Sequence, residues 1–295
     1  MKKFRRVVCW LVIGTSLVAC ENRSPDPKPS VSSPPTPVAH GAAVVYVVSG
    51  HLMTTDPRAN ERRDLTPPQL ADVYSPRWSP DGERIVFVCT PRSTMGQEIC
   101  VIARDGSGFA QLTDTPEDEF SPDWSPDGRW IAFQGATSIE VMRVDGQGRR
   151  PVPRTANSGE LGWRDASRIV YVGGSRDGGD IYTIRADGRG KRRLTRPHEG
   201  EEGHPRWGPR GDWIGFQRTT ELGVFDLFTR RRDGSRVRRL TRPQQDHQVV
   251  RQVATHGDVF GDGQNLWLVR RDGGGLRAEL KVGSINMESP DWTGR

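Results

Sequence analysis

The chain has 295 residues, of which 34% are hydrophobic, and it contains 34 glycines, 22 prolines and nine tryptophans. This turn-rich composition disfavours a helical bundle and favours many short strands joined by tight turns. The formal net charge of +6 includes four basic side chains within the first six residues, so the rest of the chain is close to neutral and gives no indication of nucleic-acid binding.

The N-terminus carries the features of an export signal. A basic start is followed by an apolar run from Val7 to Val18, which is too short to span a bilayer comfortably as a helix. The segment Leu17-Val18-Ala19-Cys20 resembles the lipobox of bacterial lipoproteins, in which the cysteine sulfur is acylated and the cysteine becomes the new N-terminus. We therefore predict a signal peptide at 1–19 and acylation of Cys20. The alternative is an ordinary cleaved leader in which Cys20 has no role.

The segment after Cys20 is predicted to be a tether. Residues 21–40 contain six prolines and almost no large apolar side chains, so they cannot bury a core and favour extended, solvated conformations. We expect residues 20–41 to hold a folded domain, 42–295, away from a membrane. In bacterial lipoproteins an aspartate after the acylated cysteine often indicates retention in the inner membrane. Glu21 occupies that position here, so the outer membrane is favoured.

The folded domain contains an internal repeat. Ser75–Gly82 and Ser121–Gly128 share the pattern Ser-Pro-X-Trp-Ser-Pro-Asp-Gly, His204–Gly211 is a weaker copy, and the chain ends with Ser289-Pro-Asp-Trp292. A second marker, Asp-Gly, begins at residues 105, 145, 187, 233 and 272, and several copies are followed by Leu-Thr. Two markers with a common period of about 40 residues indicate a propeller or a solenoid.

Each repeat is predicted to form four antiparallel strands. The first ends at the tryptophan, Ser-Pro-Asp-Gly forms a type I turn into the second, and Asp-Gly forms the hairpin between the third and fourth. Four such strands make a propeller blade, with the tryptophan between neighbouring blades. The turns predict six blades, with blade five poorly defined around Gln248–Asp258. Val44–Val48 matches a second strand and the C-terminus matches a first, so the two ends should close the ring within one blade.

These repeats resemble those of the TolB-type propeller, which carry the same Trp-Ser-Pro-Asp-Gly signature. The resemblance covers about 250 residues. It implies an all-β, six-bladed periplasmic scaffold that binds other envelope proteins. In that family a separate mixed domain precedes the propeller, whereas a proline-rich tether occupies that place here.

Cys89 and Cys100 lie on neighbouring predicted strands. In an exported protein a disulfide between them is expected. The alternative is two buried free thiols.

The sequence contains no signature of a catalytic or cofactor site. A glycine-rich phosphate loop, a Gly-X-Ser-X-Gly elbow and a His-Glu-X-X-His motif are all absent, so we predict no catalytic residues, no metal and no cofactor. His198, His204, His247 and His256 fall near links between blades, where related propeller lyases bind a metal. The alternative is surface or hydrogen-bonded loop histidines.

Charge is segregated between the two ends of the predicted blades. The links between blades carry acidic side chains, and we predict a partner-binding set of Glu117, Asp118, Glu119, Glu199, Glu201, Glu202 and Asp246. The Asp-Gly hairpins and outer strands carry many arginines, among them Arg149, Arg193 and Arg239. The acidic end would take a basic peptide or a divalent cation, and the basic end would rest on anionic lipid or cell-wall polymer. The alternative is that charge serves solubility and protects outer strands.

Two functions are compatible with these features. The first is a monomeric, non-catalytic lipoprotein of the periplasmic side of the envelope, whose propeller binds a protein or peptide. The second is a propeller enzyme, a lyase or hydrolase acting on polysaccharide or peptide at the central channel. A ligand sensor or carrier would differ from the first only in the size of its partner.

Overall fold

The computed structural model describes residues 44–55, 61–94, 96–156, 158–165, 167–175, 178–195, 200–208, 211–219, 225–240, 252–253, 259–261, 265–269, 276–281 and 288–292. The chain divides into two units, 1–38 and 39–295, and every described residue belongs to the second. The predicted signal peptide, Cys20 and tether therefore lie outside the described residues. In the described part of the chain, no helix is long and apolar enough to cross a membrane.

The described residues form strands that pair in four-stranded antiparallel sheets. Blade 1 contains β24 (Glu288–Trp292), β1 (Val44–Val48), β2 (His51–Thr55) and β3 (Arg62–Asp64). Blade 2 contains β4 (Leu70–Trp78), β5 (Arg84–Pro91), β6 (Glu98–Ala103) and β7 (Ala110–Gln111). Blade 3 contains β8 (Phe120–Trp124), β9 (Trp130–Gln134), β10 (Ile139–Arg143) and β11 (Arg150–Pro151). Blade 4 contains β12 (Ser158–Asp165), β13 (Arg168–Ser175), β14 (Gly178–Arg185) and β15 (Arg192–Arg193). Blade 5 contains β16 (Glu202–Trp207), β17 (Trp213–Thr219), β18 (Phe225–Arg231) and β19 (Arg238–Arg239).

A further sheet follows blade 5 in the sequence. It contains β20 (Gln252–Val253), β21 (Val259–Gly261), β22 (Asn265–Val269) and β23 (Leu276–Lys281). Blades 1 to 5 pack against one another through buried side chains, so the structure shows five blades and not the six predicted from the turns. The β20–β23 sheet is described by its backbone pairing alone.

The two ends of the folded domain meet in blade 1, as predicted. β1 pairs antiparallel with β24, and Val44 lies opposite Trp292. The C-terminal strand thus supplies the innermost position of a sheet whose other three strands come from the N-terminal side. This pairing satisfies the backbone groups that an open ring would leave at its edges.

Tryptophans at the ends of the innermost strands fill the spaces between blades. Trp124, from blade 3, packs against Val86, Val88 and Ile99 of blade 2. Trp163 of blade 4 and Trp207 of blade 5 pack in the same way against the preceding blade. These tryptophans are at most 8% exposed, so their burial confirms the role predicted from the repeat.

The Ser-Pro-Asp-Gly motif forms the predicted turn. The Gly82 amide donates to the Ser79 carbonyl at 2.8 Å, and Ser79 Oγ donates to Asp81 Oδ1. Ser125–Gly128 repeats both hydrogen bonds. Gly82 has a φ of +74°, a conformation that favours glycine because it lacks a Cβ.

The Leu-Thr motif joins the fourth strand to the third. In blade 2 the Leu112 amide donates to the Ile99 carbonyl at 2.7 Å, and the Ile99 amide donates to Thr113 Oγ1 at 2.8 Å. The same threonine contact recurs in blades 1, 3 and 4, made by Thr66, Thr155 and Thr195. The threonine hydroxyl therefore extends the ladder where the short fourth strand ends.

Cys89 and Cys100 form a disulfide between β5 and β6, with their Cα atoms 5.9 Å apart. Both side chains are fully buried in the core between blades 1 and 2. Cys89 lies directly opposite Glu98 in the sheet.

Replacement of both cysteines, C89A/C100A, should lower the free energy of unfolding by about 3 kcal/mol, because the bond closes a short loop in the unfolded chain. Urea denaturation checks this. Reductant should lower the stability of the wild type by a similar amount and leave the double variant unchanged. Equal stability of oxidised and reduced wild type would contradict the expectation.

Candidate functional site

The loops of the propeller lie on two faces. On the first, which we call the hairpin face, the Ser-Pro-Asp-Gly turns lie beside the Asp-Gly hairpins; the Arg104 amide, for example, donates to the Glu83 carbonyl at 2.8 Å. On the second, the link face, the links between blades lie beside the hairpins that join second and third strands. There the Glu119 amide donates to the Gln97 carbonyl, also at 2.8 Å.

The predicted partner-binding carboxylates divide into exposed and buried groups. Glu117, Asp118 and Glu201 are exposed on the link face. Glu119 and Glu202 are 0% and 5% exposed, so a partner cannot contact them directly. Glu199 and Asp246 lie outside the described residues.

Glu119 has a structural role. Its carboxylate accepts a hydrogen bond from Thr115 Oγ1 at 2.6 Å and forms an ion pair with Arg149 NH1 at 2.9 Å. Arg149 also bonds Glu140 through Nε at 2.6 Å. The sequence placed Arg149 in the basic end of the propeller, but its side chain is neutralised by two carboxylates, Glu140 of its own blade and Glu119 of the preceding link.

Glu98, which the sequence analysis did not single out, lies beside Glu119 in the interior. Glu98 Oε2 and Glu119 Oε2 are buried, and no donor among the described residues contacts them. One proton shared by the two carboxyl groups would satisfy both atoms. Burial, together with the neighbouring Glu119 carboxyl, raises the pKa of Glu98 to about 7.

Blade 2 lacks a cross-strand ion pair that other blades have at this position. The equivalent ion pairs are Asp180 with Arg193 in blade 4 and Asp226 with Arg239 in blade 5, and His51 and Asp64 are hydrogen-bonded at this position in blade 1. Blade 2 has Gln111 in place of the basic partner, and Gln111 Nε2 donates to the Thr113 carbonyl instead. Glu98 is therefore left without a cation of its own blade.

Glu202 is held in blade 5 by Arg218, whose NH2 lies 2.5 Å from Glu202 Oε1. Burial raises the pKa of Glu202 above its usual value despite this partner. Arg218 also lies over the rings of Phe216 and Phe228. This group is part of the packing of blade 5, and among the described residues of that link Glu201 is the exposed carboxylate.

Two exposed aromatic side chains lie on the link face. Tyr74 and Phe120 occupy equivalent positions, four residues before Trp78 and Trp124 on the adjoining innermost strands, and each is 36% exposed. Phe120 directly follows the acidic link. Neither aromatic residue was predicted as part of a site. The signal for them is that an aromatic residue precedes the Ser-Pro pair in these two repeats, whereas Gly203 precedes the equivalent His-Pro pair in blade 5.

His204 pairs with a carboxylate. Its Nδ1 lies 2.9 Å from Glu160 Oε1, and its backbone amide donates to Glu160 Oε2. Although burial acts in the opposite direction, the pKa of Glu160 lies below its usual value because of His204. No group of metal-ligating side chains occurs among the described residues. His198, His247 and His256 fall outside them.

Charged side chains surround the centre of the propeller. The residue before the tryptophan is Asp291 in blade 1, Arg77 in blade 2, Asp123 in blade 3, Gly162 in blade 4 and Arg206 in blade 5. The four charged residues are at most 5% exposed. We call them the inner charge ring. Burial, with Arg206 nearby, lowers the pKa of Arg77 to about 10, and burial raises the pKa of Asp123 to about 6.

The inner charge ring joins consecutive blades. Asp291 Oδ2 accepts from the Trp78 amide, and Asp123 Oδ2 accepts from the Trp163 amide, both at 2.6 Å. Arg206 donates to the Leu161 carbonyl. The side chain of Arg206 passes over Gly162, where a Cβ would lie 3.3 Å from Arg206 Cδ.

Comparisons with known proteins show the fold of the chain. No protein-family profile matches it, and no curated protein matches it. Among solved structures it is similar to TolB from Acinetobacter baumannii, with a TM-score of 0.68 and 16% identity over 86% of this chain and 67% of that one. The chain has the fold of a TolB-type β-propeller.

Other solved structures are similar as well. A chain of a nidogen/laminin complex has a TM-score of 0.68 at 13% identity, covering 86% of this chain and 99% of that one. A putative TolB from Agrobacterium tumefaciens has a TM-score of 0.59 at 21% identity, covering 84% and 92%. At these identities the TolB-type fold is shared, and function has to be argued from the residues of this chain.

The inner charge ring gives a stability prediction. D123A should lower the free energy of unfolding by about 3 kcal/mol, because it removes the acceptor of the Trp163 amide and leaves two buried arginines short of a counter-charge. Chemical denaturation checks this, with D114A as the control: Asp114 is exposed, and its replacement should change stability by less than about 0.5 kcal/mol. Equal effects of the two variants would contradict the role given to Asp123.

The Glu98–Glu119 pair gives a pH prediction. The pKa of Glu98 is raised in the folded state, so its protonated carboxyl stabilises the folded state. This stabilisation is complete below the usual carboxyl pKa and is lost as the pH rises through about 7. E98Q removes this titration, so wild-type stability should fall relative to E98Q by about 2 kcal/mol between pH 5 and pH 8. Denaturation curves across this range check it. The stability of E117Q, at an exposed site, should change with pH in the same way as that of the wild type. If the stability of E98Q also changed in that way, the shared proton would be refuted.

Proposed function

We propose that the chain is a non-catalytic scaffold whose link face binds a basic segment of a protein. The observation that supports this is a pair of exposed aromatic side chains on the link face: Phe120, which follows the exposed carboxylates Glu117 and Asp118 in the chain, and Tyr74 at the equivalent position of blade 2. Aromatic side chains supply most of the binding energy in many protein interfaces, and exposed carboxylates select and steer a basic partner. Together they form the acidic-aromatic patch of blades 2 and 3.

The buried carboxylates support the patch indirectly. Glu119 anchors the end of the link through Thr115 and Arg149, so Glu117, Asp118 and Phe120 are presented by a fixed backbone. The Gln97 amide donates to Asp118 Oδ1 at 2.9 Å, which orders that side chain as well. Pre-ordering lowers the entropy lost on binding.

We propose that the β20–β23 sheet is the sixth blade of the ring. β20 contacts β16 and β17 of blade 5, and β20 and β21 contact β24 of blade 1. The innermost strands of the other blades contact each other in the same order around the ring. These contacts support a position for the sheet between blades 5 and 1, as a six-bladed ring would require.

We also propose that the scaffold works on the periplasmic side of a bacterial envelope, monomeric and held by an acylated Cys20. The lipobox, the proline-rich segment that follows it and the Cys89–Cys100 disulfide support this assignment, because structural disulfides persist in oxidising compartments. The absence of an inner-membrane aspartate after Cys20 favours the outer membrane.

Photo-crosslinking in the native envelope tests the binding patch. A photoreactive phenylalanine analogue in place of Phe120 should give a discrete adduct with one partner protein. The double charge reversal E117K/D118K, made in the same background, should reduce that adduct at least tenfold, because it repels a basic partner.

The matched control carries the analogue at Gln147, an exposed position of the hairpin face, and should not give this adduct. An adduct that survives the charge reversal would contradict binding through the acidic-aromatic patch. Turnover of a polysaccharide or peptide by the purified protein, or a transition metal retained in stoichiometric amount through dialysis, would favour the enzyme instead.

A further inference from the structure

Positive charge on the hairpin face is concentrated on one side of the ring. The hairpin segment of blade 2, residues 103–111, has one basic and one acidic side chain. The matching segments of blades 4 and 5, residues 185–193 and 231–239, each have five basic side chains and one acidic one. Residues 143–151 of blade 3 are intermediate, with three basic and one acidic. The charge therefore varies around one face as well as between the two faces.

Most of these basic side chains are available to a partner. Arg193 and Arg239 pair with carboxylates of their own blades, and Arg185 forms an exposed ion pair with Asp187 of its own hairpin. Apart from Arg193 and Arg239, the exposed basic side chains of these segments of blades 4 and 5 are Arg185, Arg189, Lys191, Arg192, Arg231, Arg232, Arg236 and Arg238. We call this set the basic hairpin patch. In the described part of the chain, Arg189, Arg232 and Arg238 form no side-chain ion pair.

The hairpins of blades 3, 4 and 5 form one continuous surface. Arg150 NH1 donates to the Ala186 carbonyl of the next hairpin at 3.3 Å, and Arg192 NH2 donates to the Asp233 carbonyl of the one after at 2.5 Å. Each arginine stands at the same position of its fourth strand. These bonds hold neighbouring hairpins in register and keep their charges close together.

An apolar side chain lies within the basic hairpin patch. Val237, between Arg236 and Arg238, is 43% exposed, and it is one of three large apolar side chains exposed among the described residues. Basic side chains around an exposed apolar one fit a lipid headgroup region, where the charges bind phosphates and the apolar group enters the interface.

The chain enters the propeller on this same face. Val44, the first residue of β1, lies opposite Trp292 at the end of β24, and in the other blades this junction of first and second strands belongs to the hairpin face. Residues 21–43, which connect Cys20 to Val44, contain two acidic and two basic side chains and add no net charge. A lipid at Cys20 would therefore be attached to the propeller at the hairpin face.

We propose that the basic hairpin patch docks on an anionic membrane surface, so that the link face points away from the membrane toward its partner. This inference rests on the lipid anchor of the proposed function. A membrane fits better than a soluble polyanion because the attachment point of the anchor segment and the exposed Val237 share the face that carries the charge. Acylation and the basic hairpin patch would supply the two signals that stable membrane attachment requires.

Vesicle co-sedimentation tests the proposal with residues 21–295, the chain without its predicted leader or acyl group. At low salt it should bind vesicles of 70% phosphatidylcholine and 30% phosphatidylglycerol and should not bind pure phosphatidylcholine. The triple variant R189Q/R232Q/R238Q should bind the anionic vesicles at least about tenfold more weakly, given the contribution of each basic side chain near such a surface.

The matched control R62Q/R63Q/R92Q loses the same charge at exposed positions of blades 1 and 2 and should change binding less than twofold. Equal binding of the two triple variants, or equal binding to neutral vesicles, would overturn the proposal. Binding to inorganic polyphosphate in solution without binding to vesicles would overturn it as well and assign the patch to a soluble polyanion.

Single-cysteine labels test the orientation. A fluorophore on Q147C, at the hairpin face, should be quenched by nitroxide-labelled lipid in anionic vesicles, whereas one on S93C, on a link-face hairpin, should not. Equal quenching would overturn the orientation. Because the patches lie on opposite faces, the triple variant should keep the Phe120 crosslink, so failure here is distinguishable from failure of partner binding.

Discussion

The bond from an aspartate of one blade to the tryptophan amide of the next is the interaction on which the ring depends. Asp123 accepts from Trp163, and Asp291 accepts from Trp78, at positions almost without solvent. Isolated carboxylates there would be costly, but Arg77 and Arg206 lie close enough to compensate. The Asp and Arg side chains before the tryptophans therefore join neighbouring blades of the ring. Gly162 has no side chain, which leaves room for the side chain of Arg206.

The two faces of the propeller differ in the side chains that they expose. The link face combines exposed carboxylates with Tyr74 and Phe120, while the hairpin face of blades 4 and 5 combines exposed arginines with Val237. Opposite charges on opposite faces suit a protein that lies between a surface and a partner. The buried Glu119–Arg149 and Glu202–Arg218 pairs show that the total charge of a loop overstates what a partner meets.

The sequence predicted well those features that repeat locally. Ser79–Gly82 and Thr113 act within single blades, so their spacing was enough to assign strands, turns and the closure of blade 1 by the C-terminus. Contacts between blades and links were not predictable in this way. Arg149 contacts Glu119 of the preceding link, and nothing in the spacing of those residues distinguishes a buried pair from two exposed charges. Phe120 was missed because a strand-end aromatic is usually core, and only the three-dimensional structure shows its exposure.

Blade 2 lacks the cross-strand ion pair of blades 4 and 5, and it carries the Cys89–Cys100 disulfide. Gln111 replaces the basic partner found in blades 4 and 5, and Glu98 is consequently forced to share its environment with Glu119. Cys89, bonded to Cys100, lies directly opposite Glu98 in the same sheet. Loss of the shared proton would place two buried negative charges side by side, and the strands around them would tend to separate. The disulfide fixes β6, which carries Glu98, to β5. Glu119 is held separately by Thr115 and Arg149, and these contacts keep the link that carries Glu117, Asp118 and Phe120 in place.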